Sequence, residues 1–334
     1  MTSPTPGFRH LVRLSDDTGL YEHARHAVVR REHGYCTDDV SRGLVVVSRE
    51  ERPSYRLIRL AETYLSFLTH AQGSSGAFRN RLGFDRRWID EPGLGDWWGR
   101  AMWGLGTAAA RSAAPWVREE ALVAFVAGAE QRSSDARAMA FAGLGAAEVL
   151  RADPDSSVAA ALLTDAAQAV GTPTEDPDWP WPEPRLTYAN AALAEVLIVA
   201  GELSGDKQLL DSGLRSLAWL CDVQTRDDRF SVVAVSGWRR GEPRARFDQQ
   251  PIEVAALADA CAAAALATGD LLWQDGIRRA ADWFQGANDA DTLMWDPSTG
   301  GGYDGLTEHG PNLNQGAEST IALISTMQRH EELS

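Results

Sequence analysis

Carboxylates occupy three places in this 334-residue sequence where they could do chemistry. Asp38 and Asp39 are adjacent and follow Thr37, a predicted N-cap, at the start of an apolar helical segment. Because successive helical residues point about 100° apart, one carboxylate is expected to face a cavity while the other orients an arginine or the backbone. Glu253 and Glu318 each lie inside a mainly apolar helical segment. Burial of an unpaired carboxylate favours its protonated form, which can act as a general acid near neutral pH.

Each of these carboxylates also has a structural explanation. A single aspartate before a helix commonly caps that helix, and Glu253 could instead pair with an arginine such as Arg246. Two carboxylates on opposite walls of a cavity would indicate glycoside hydrolysis, in which one acid protonates the leaving oxygen and the other activates water or attacks the sugar. The 12 tryptophans could stack on sugar rings in such a cavity, although each could equally pack between helices.

Residues able to bind sugars cluster in the loops that precede the apolar helical segments. Amide, aromatic and charged side chains of this kind orient a small ligand in a pocket. The predicted substrate-binding residues are Tyr35, Asp39, Arg42, Asp96, Trp98, Arg100, Tyr188, Asn190, Asp248, Gln249, Gln250, Gln315 and Glu318. Helix capping explains any one of these loops, but it explains the gathering of all of them at one end of a fold less well.

The sequence contains none of the short motifs that mark several other enzyme classes. It has no phosphate-binding G-x-x-x-x-G-K-[ST], no G-x-G-x-x-G on a strand, no H-E-x-x-H and no G-x-S-x-G. We therefore expect neither a metal nor an organic cofactor. Cys36, Cys221 and Cys261 have no C-x-x-C spacing, which argues against a disulfide framework and a zinc site. His33 and His309 lie near the predicted site and leave sugar epimerisation by proton transfer open.

The charge balance excludes two kinds of partner. The chain has 32 basic and 47 acidic residues, a formal net charge of −15. Such a field repels nucleic acid and an anionic membrane surface, so we expect neither as a partner. The first six residues carry no basic-then-apolar signal pattern, and no run approaches 18 apolar residues. We expect a soluble, cytoplasmic protein whose oligomeric state the sequence leaves open.

The elements that must position these residues are helical and of two alternating kinds. Segments such as 135–150, 188–200 and 251–268 are apolar nearly all round, so each must be buried on every side. Others, such as 207–223, carry an apolar face at three- and four-residue spacing. Amphipathic segments are predicted to begin near Thr18, Ser54, Pro115, Pro154, Asp206 and Asp270, and apolar segments near Thr37, Asp96, Ser134, Thr187, Pro251 and Asn314.

Six apolar helices that alternate with six half-buried ones predict an all-α (α/α)6 barrel of inner and outer helices. An open solenoid would not need alternate helices to be apolar all round. We therefore predict one catalytic barrel domain over residues 1–334, with residues 1–14 as a loosely ordered N-terminal segment. The stretch 229–238 is the best candidate for strands and is predicted as a hairpin.

Three motifs in the predicted site loops resemble a known bacterial family. They are His-Gly-Tyr-Cys-Thr-Asp-Asp at 33–39, Arg-Ala-Arg-Phe-Asp-Gln-Gln-Pro-Ile-Glu at 244–253 and Asn-Gln-Gly-Ala-Glu-Ser-Thr at 314–320. The family is an (α/α)6 domain found alone or at the C-terminus of glycosyltransferase chains, and the stand-alone form resembles the mycobacterial methylmannose polysaccharide hydrolases, which are endo-acting α-1,4-mannosidases. The resemblance covers nearly the whole chain, and residues 248–253 are its most specific part. Val40 and Ser41 replace the Asn-Ala of the family pattern, whereas Arg42 is kept.

The resemblance implies that Asp38 is the catalytic aspartate and Glu253 its partner carboxylate. We accordingly expect a metal-independent glycoside hydrolase that cleaves internal α-1,4-mannosidic bonds of methylmannose polysaccharide. Glu253 would be the general acid and Asp38 the carboxylate that activates water, with inversion of the anomeric centre favoured. Two alternatives remain: a non-catalytic oligosaccharide-binding domain that serves a glycosyltransferase, and a sugar epimerase that depends on His33 or His309.

Overall fold

Helices dominate the structure, a computed structural model that describes residues 7–333, and this confirms the predicted all-α class. The helices are α1 (Arg9–Leu14), α2 (Thr37–Arg49), α3 (Tyr55–Ala71), α4 (Asp96–Arg111), α5 (Pro115–Gly128), α6 (Ala136–Ala152), α7 (Ser157–Val170), α8 (Ala191–Ser204), α9 (Lys207–Val223), α10 (Pro251–Thr268), α11 (Leu271–Phe284) and α12 (Ala317–Glu331). A single 3-10 turn spans Arg31–His33 within the described residues.

Short strands lie in the loops between helices. They are β1 (Ala24–Arg25), β2 (Val28–Val29), β3 (Tyr35–Cys36), β4 (Arg81–Leu82), β5 (Arg185–Leu186), β6 (Thr225–Arg226), β7 (Arg229–Phe230), β8 (Trp238–Arg239), β9 (Gly305–Thr307) and β10 (Gly310–Asn312). β3 pairs antiparallel with β4, β5 with β8, β6 with β7, and β9 with β10. The hairpin predicted over 229–238 is wrong, because β7 turns back on β6 while β8 joins the more distant β5.

The described chain divides into two compact units. In the N-terminal unit (residues 11–24 and 28–170), α2 packs on α4 and α4 packs on α6, while α3, α5 and α7 cover these helices. The contact between α4 and α6 is very close. A Cβ added to Gly106 would lie 2.2 Å from the Gly145 carbonyl oxygen, so only glycine allows the two backbones to approach this far.

The C-terminal unit (residues 7–10, 25–27 and 171–333) repeats this arrangement. α10 packs between α8 and α12, with α9 on α8 and α11 on α10. Most of α8 and α10 is buried, as their apolar composition predicted. α10 is also long and apolar enough to cross a membrane by composition alone, with a mean hydropathy of 1.4 over 18 residues, but 61% of that stretch is buried inside the protein.

The helix starts show which local signals are reliable. Ser54, Asp206 and Asp270 each cap the helix that follows through a side-chain oxygen, at the positions where those starts were predicted. The amphipathic helix predicted near Thr18 is wrong, because short strands and a 3-10 turn occupy that region instead. Residues 9–14, expected to be loosely ordered, form α1, whereas the first six residues of that predicted segment lie outside the described part of the chain.

Candidate active site

Asp38 and Asp39 lie where β3 runs into α2. The first turn of α2 is fixed by the neighbouring loop: the Thr37 N–H donates to the Asn80 carbonyl at 2.9 Å, and the Thr37 hydroxyl donates to the Arg79 carbonyl at 2.7 Å. Thr37 is therefore the first helical residue and not the predicted N-cap, a position that Cys36 occupies. The Thr37 hydroxyl binds the loop, which leaves the start of α2 without a side-chain cap.

Asp38 is a partly buried carboxylate with few hydrogen bonds. Its side chain is 17% exposed, and its Oδ1 lies 3.3 Å from the Nε of Arg100, whose guanidinium sits 4.3 Å from the centre of the Phe141 ring. The Cys36 thiol donates to the Asp38 Oδ2 over 3.3 Å, a weak bond. The buried Oδ1 has no hydrogen-bond partner among the described residues. A carboxylate oxygen in this state can accept a hydrogen bond from a sugar or from a water that it activates.

Asp39 orients an arginine. Its Oδ1 lies 2.5 Å from the Nη2 of Arg42, one helical turn further along α2, and both side chains are buried. The two adjacent aspartates therefore have different environments, as their helical spacing predicted. Asp96 is the half-buried first residue of α4. Trp98, in the same first turn, is fully buried, so its ring has no exposed face on which a sugar could stack.

Tyr35 belongs to a buried polar group in the same unit. Its hydroxyl and that of Tyr21 both donate to the Asp16 Oδ2 at 2.7 Å, and the two tyrosine rings stack at 4.7 Å. Burial together with the bonds to Tyr21 and Asp16 raises the pKa of Tyr35 well above its usual value. Burial would raise the pKa of Asp16, but the two tyrosine hydroxyls and the backbone hold it below its usual value. Tyr35 thus anchors the chain before the aspartates.

Glu253, in the first turn of α10, is nearly fully buried and bound by the start of α8. Its Oε1 accepts a hydrogen bond from the Ala189 N–H, and its Oε2 accepts one from the Asn190 Nδ2 at 2.8 Å. Ala189 has φ +45°, in the left-handed region, which turns its N–H toward the carboxylate. The Asn190 Oδ1 in turn accepts from the Thr187 N–H at 2.9 Å. The expectation that Glu253 has no partner is wrong, because the residues before α8 supply it with two hydrogen-bond donors.

Both the amide nitrogen and the amide oxygen of the Gln249 side chain form hydrogen bonds within the protein. Its Nε2 donates to the Arg246 carbonyl at 2.7 Å and to the Asp289 Oδ2 at 2.6 Å, while its Oε1 accepts from the Trp283 Nε1 at 3.1 Å. Arg246 pairs with Asp289, with 2.8 Å between Nε and Oδ1. Burial would raise the pKa of Asp289, but hydrogen bonds from Ser231, Arg246 and Gln249 hold it below its usual value. This network fixes the loop that leads into α10.

Gln315 has a similar part in the loop before α12. Its backbone carbonyl accepts from the His10 Nε2 at 3.0 Å, its Oε1 accepts from the Thr299 hydroxyl at 2.6 Å, and its Nε2 donates to the Asp296 Oδ2 at 3.3 Å. Glu318 follows in the first turn of α12 and is half-buried. Gln315 is therefore a structural residue of this loop in addition to any contact with a ligand.

The remaining predicted binding residues of the C-terminal unit lie at the same helix starts. Tyr188 and Gln250 are half-buried, and Gln250 is the N-cap of α10. Asp248 is exposed and adopts φ +66°, a left-handed conformation that only a minority of non-glycine residues adopt. Its backbone is held by the Leu306 carbonyl and by the Val235 N–H.

Three chemical groups that contact the predicted site residues could not be predicted from the sequence. The Cys36 thiol touches Asp38, the Ala189 N–H binds Glu253, and Asp289 binds Gln249. One group of potential metal ligands occurs in the described residues: Glu22, Cys36 and Asp39 place their ligand atoms within 4.8 Å of one another. Both carboxylates of this group already bind arginines, Glu22 through Arg81 and Asp39 through Arg42, which disfavours a cation there.

Comparisons with solved structures identify the fold. A sugar epimerase from a ruminal bacterium matches with a TM-score of 0.72 and 13% identity, over 95% of this chain and 94% of that one. A D-mannose isomerase matches with a TM-score of 0.69 and 12% identity, over 98% and 94% of the two chains. An α-1,6-mannanase of Salegentibacter sp. HEL1_6, in complex with α-1,6-mannotetrose, gives 0.62 and 10%, over 98% and 96%. No protein-family model and no curated protein sequence matches the chain.

At these identities the likeness shows the fold alone. The chain has the all-α (α/α)6 barrel fold, as the alternation of apolar and amphipathic segments predicted. The mannanase was crystallised as an inactive variant in which two consecutive aspartates are replaced by alanine.

Proposed function

We propose that this chain is a glycoside hydrolase that cleaves internal α-1,4-mannosidic bonds of methylmannose polysaccharide. The observation that carries the proposal is Asp38, a partly buried carboxylate whose buried Oδ1 has no hydrogen bond and lies 3.3 Å from the Arg100 guanidinium. A buried polar atom without a hydrogen bond needs an explanation, and a catalytic role is one such explanation. The ionised carboxylate is the form that activates water, and the Arg100 guanidinium is placed to orient it.

Three further points support this proposal. The sequence resembles α-1,4-mannosidases in the loops that hold Asp38 and Glu253. The fold is shared with an enzyme named as a mannanase, whose inactive variant lacks two consecutive aspartates, and Asp38 and Asp39 form such a pair here. Asp39 forms a short ion pair with Arg42 and its side chain is 4% exposed, whereas Asp38 has a longer contact with Arg100 and is 17% exposed, so we assign the reaction to Asp38.

Glu253 is proposed as the second carboxylate and the general acid. Its position in the first turn of α10 is fixed by the Ala189 N–H and the Asn190 amide, so its geometry is pre-organised. A general acid must carry its proton in the complex with substrate. The pH dependence of the rate is consequently a direct test of this role.

The test is product analysis by NMR with the purified protein, α-1,4-linked mannooligosaccharides and methylmannose polysaccharide. Shorter chains with a new reducing end in the β configuration are expected, because inversion places the attacking water opposite the leaving oxygen. Asp38→Asn should lower the rate at least 100-fold. Asp135→Asn is the matched control: Asp135 caps α6 through its side chain, and asparagine caps equally well, so the rate should stay within twofold.

Other outcomes of the product analysis would indicate a different function or a different role for Asp38. A sugar of unchanged length with an altered configuration at one carbon would indicate an epimerase, and replacement of His33 or His309, both exposed, would then abolish activity. Ligand-induced shifts without any turnover would indicate a binding domain. A new reducing end in the α configuration would keep the hydrolase and overturn the assignment of Asp38 as the group that activates water.

A further inference from the structure

Two of the three cysteines face each other at a cavity in the C-terminal unit. Cys221, near the end of α9, and Cys261, in the middle of α10, have their sulfur atoms 4.0 Å apart. Both line a cavity of about 350 Å³ between α9 and α11, whose walls also include Phe230, Trp273 and Arg279. The two sulfurs are thus in van der Waals contact, and Cys221 is half-exposed at a space large enough for a small molecule.

We propose that Cys221 and Cys261 are an oxidation site at which a small hydroperoxide converts the two thiols into a disulfide. A disulfide requires about 2.05 Å between sulfurs, so each sulfur must move by only about 1 Å. Room for the Cys261 sulfur exists because residue 276 has no side chain: a Cβ on Gly276 would lie 2.6 Å from that sulfur.

The two cysteines differ in access, which assigns their order of reaction. Cys221 is half-exposed and reaches solvent, whereas Cys261 is fully buried behind it. The hydrogen bond with Cys221, burial and the charge of Glu195 raise the pKa of the Cys261 thiol, which makes it a poor first nucleophile. Cys221 therefore meets the oxidant first, and Cys261 is placed to react with the product.

The reaction balances with one hydroperoxide. The Cys221 thiolate attacks a peroxide oxygen, so that an S–O bond forms, the O–O bond breaks and the departing hydroxide leaves as water after it takes up a proton. The Cys261 sulfur then attacks the sulfenic sulfur of Cys221. The S–S bond forms, the S–O bond breaks, and the hydroxyl leaves as water with the Cys261 proton. Two thiols and one molecule of hydrogen peroxide give one disulfide and two molecules of water.

The cavity selects the kind of oxidant. Asp222, Asp228 and Asp275 line it together with a single cation, Arg279. This acidic rim repels anionic disulfides such as oxidised glutathione, whereas hydrogen peroxide is neutral and small. We therefore name hydrogen peroxide as the probe.

The experiment is a peptide map of the reduced, full-length protein before and after treatment with hydrogen peroxide, with free thiols blocked before non-reducing digestion. A peptide pair that joins Cys221 to Cys261 should appear, two thiols should be lost, and dithiothreitol should restore them. Cys36, which is 3% exposed, is the internal control and should remain unmodified. A map in which Cys221 is oxidised further without any link, or is linked to Cys36 or to a second chain, would overturn the proposal.

Two variants test which cysteine reacts first. If a variant does not fold, the peptide map of the wild-type protein still tests whether the disulfide forms. Cys261→Ser should leave a sulfenic acid on Cys221 that dimedone traps, and Cys221→Ser should leave Cys261 reduced. Because the bond closes a loop of 40 residues, the oxidised protein should melt roughly 5 °C higher than peroxide-treated Cys221→Ser. A melting temperature that falls on cross-linking would show that the native helices do not fit the bond.

Discussion

Replacement of Asn190, which donates a hydrogen bond to Glu253, gives a direct test of the contacts that hold the Glu253 carboxylate. Asn190→Asp keeps the shape of the side chain and the acceptor for the Thr187 N–H. It replaces the Nδ2 donor, 2.8 Å from the Glu253 Oε2, with a second carboxylate oxygen. Loss of a hydrogen bond to a charged group costs about 1.5–3 kcal/mol, and the uncompensated buried charge adds to this loss. We expect a destabilisation of about 3–4 kcal/mol at pH 8.

The loss should depend on pH in a defined direction. Two carboxylates in contact share one proton in the folded state, so the apparent pKa of the pair rises above the values near 4 of the unfolded chain. The folded variant is therefore relatively stable at low pH and loses that stability as pH rises through the folded pKa. We expect the destabilisation at pH 5 to be smaller than at pH 8 by at least about 1 kcal/mol.

Combining the variant with Glu253→Gln completes the test. Glu253→Gln alone places an amide donor against the Asn190 donor, whereas in the double variant the new Gln donates to the new Asp and still accepts from the Ala189 N–H. The two changes should therefore compensate by about 2 kcal/mol in urea-induced unfolding followed by circular dichroism. Equal losses at pH 5 and pH 8, or strictly additive losses in the double variant, would refute the hydrogen-bond assignment.

The double variant also separates folding from catalysis. We expect it to fold better than the two single variants predict while residue 253 has no carboxyl group, so hydrolysis by the folded double variant should fall at least 100-fold if Glu253 is the general acid. The basic limb of the pH–rate profile should also disappear. Unchanged turnover in a folded double variant would restrict Glu253 to the support of the α8 start.

Three further predictions concern the rest of the candidate site and the core. Arg100→Gln removes the cation beside Asp38 and should lower hydrolysis at least tenfold, measured as kcat/KM; it should also lower the urea midpoint, because Arg100 is buried and packs on the Phe141 ring. Asp289→Asn should cost about 2 kcal/mol at pH 7; because its folded pKa lies below the usual value, this difference should vanish as pH falls through that pKa in acid unfolding. Gly106→Ala should cost at least about 2 kcal/mol in urea unfolding, since the new Cβ meets the Gly145 carbonyl at 2.2 Å.

The sequence predicted the helices where side-chain pattern alone determines them. α2 and α10 begin at Thr37 and Pro251, as expected. In α10, Pro251 is the first helical residue, where its fixed φ and missing N–H suit a helix start. α8 begins at Ala191, four residues after the predicted start at Thr187. The intervening residues include Ala189, whose left-handed conformation presents its N–H to Glu253, and this tertiary requirement overrides the local pattern.

Contacts of the candidate site between residues close in sequence could be predicted, whereas contacts between distant residues could not. The Asp39–Arg42 pair follows from a three-residue helical spacing that can be recognised in the sequence. The contact of Asp38 with Arg100 joins residues 62 positions apart, and no sequence pattern in either segment predicts this pairing. The backbone N–H of Ala189 has no side-chain signature at all, so the partner that fixes Glu253 becomes visible only in three dimensions.

Polar residues in loops before buried helices have two explanations, and an account of their hydrogen bonds separates them. Gln249 and Gln315 were predicted as sugar ligands, yet each uses both its amide oxygen and its amide nitrogen to bind neighbouring loops. A short loop that enters a buried helix must satisfy its own backbone and side chains, so residues of sugar-binding type are also those that build the loop. Asp38 differs from both, because one of its buried oxygens has no hydrogen bond. An oxygen that the fold does not satisfy is a stronger indication of function than residue type, and this is why the proposed chemistry is assigned to Asp38.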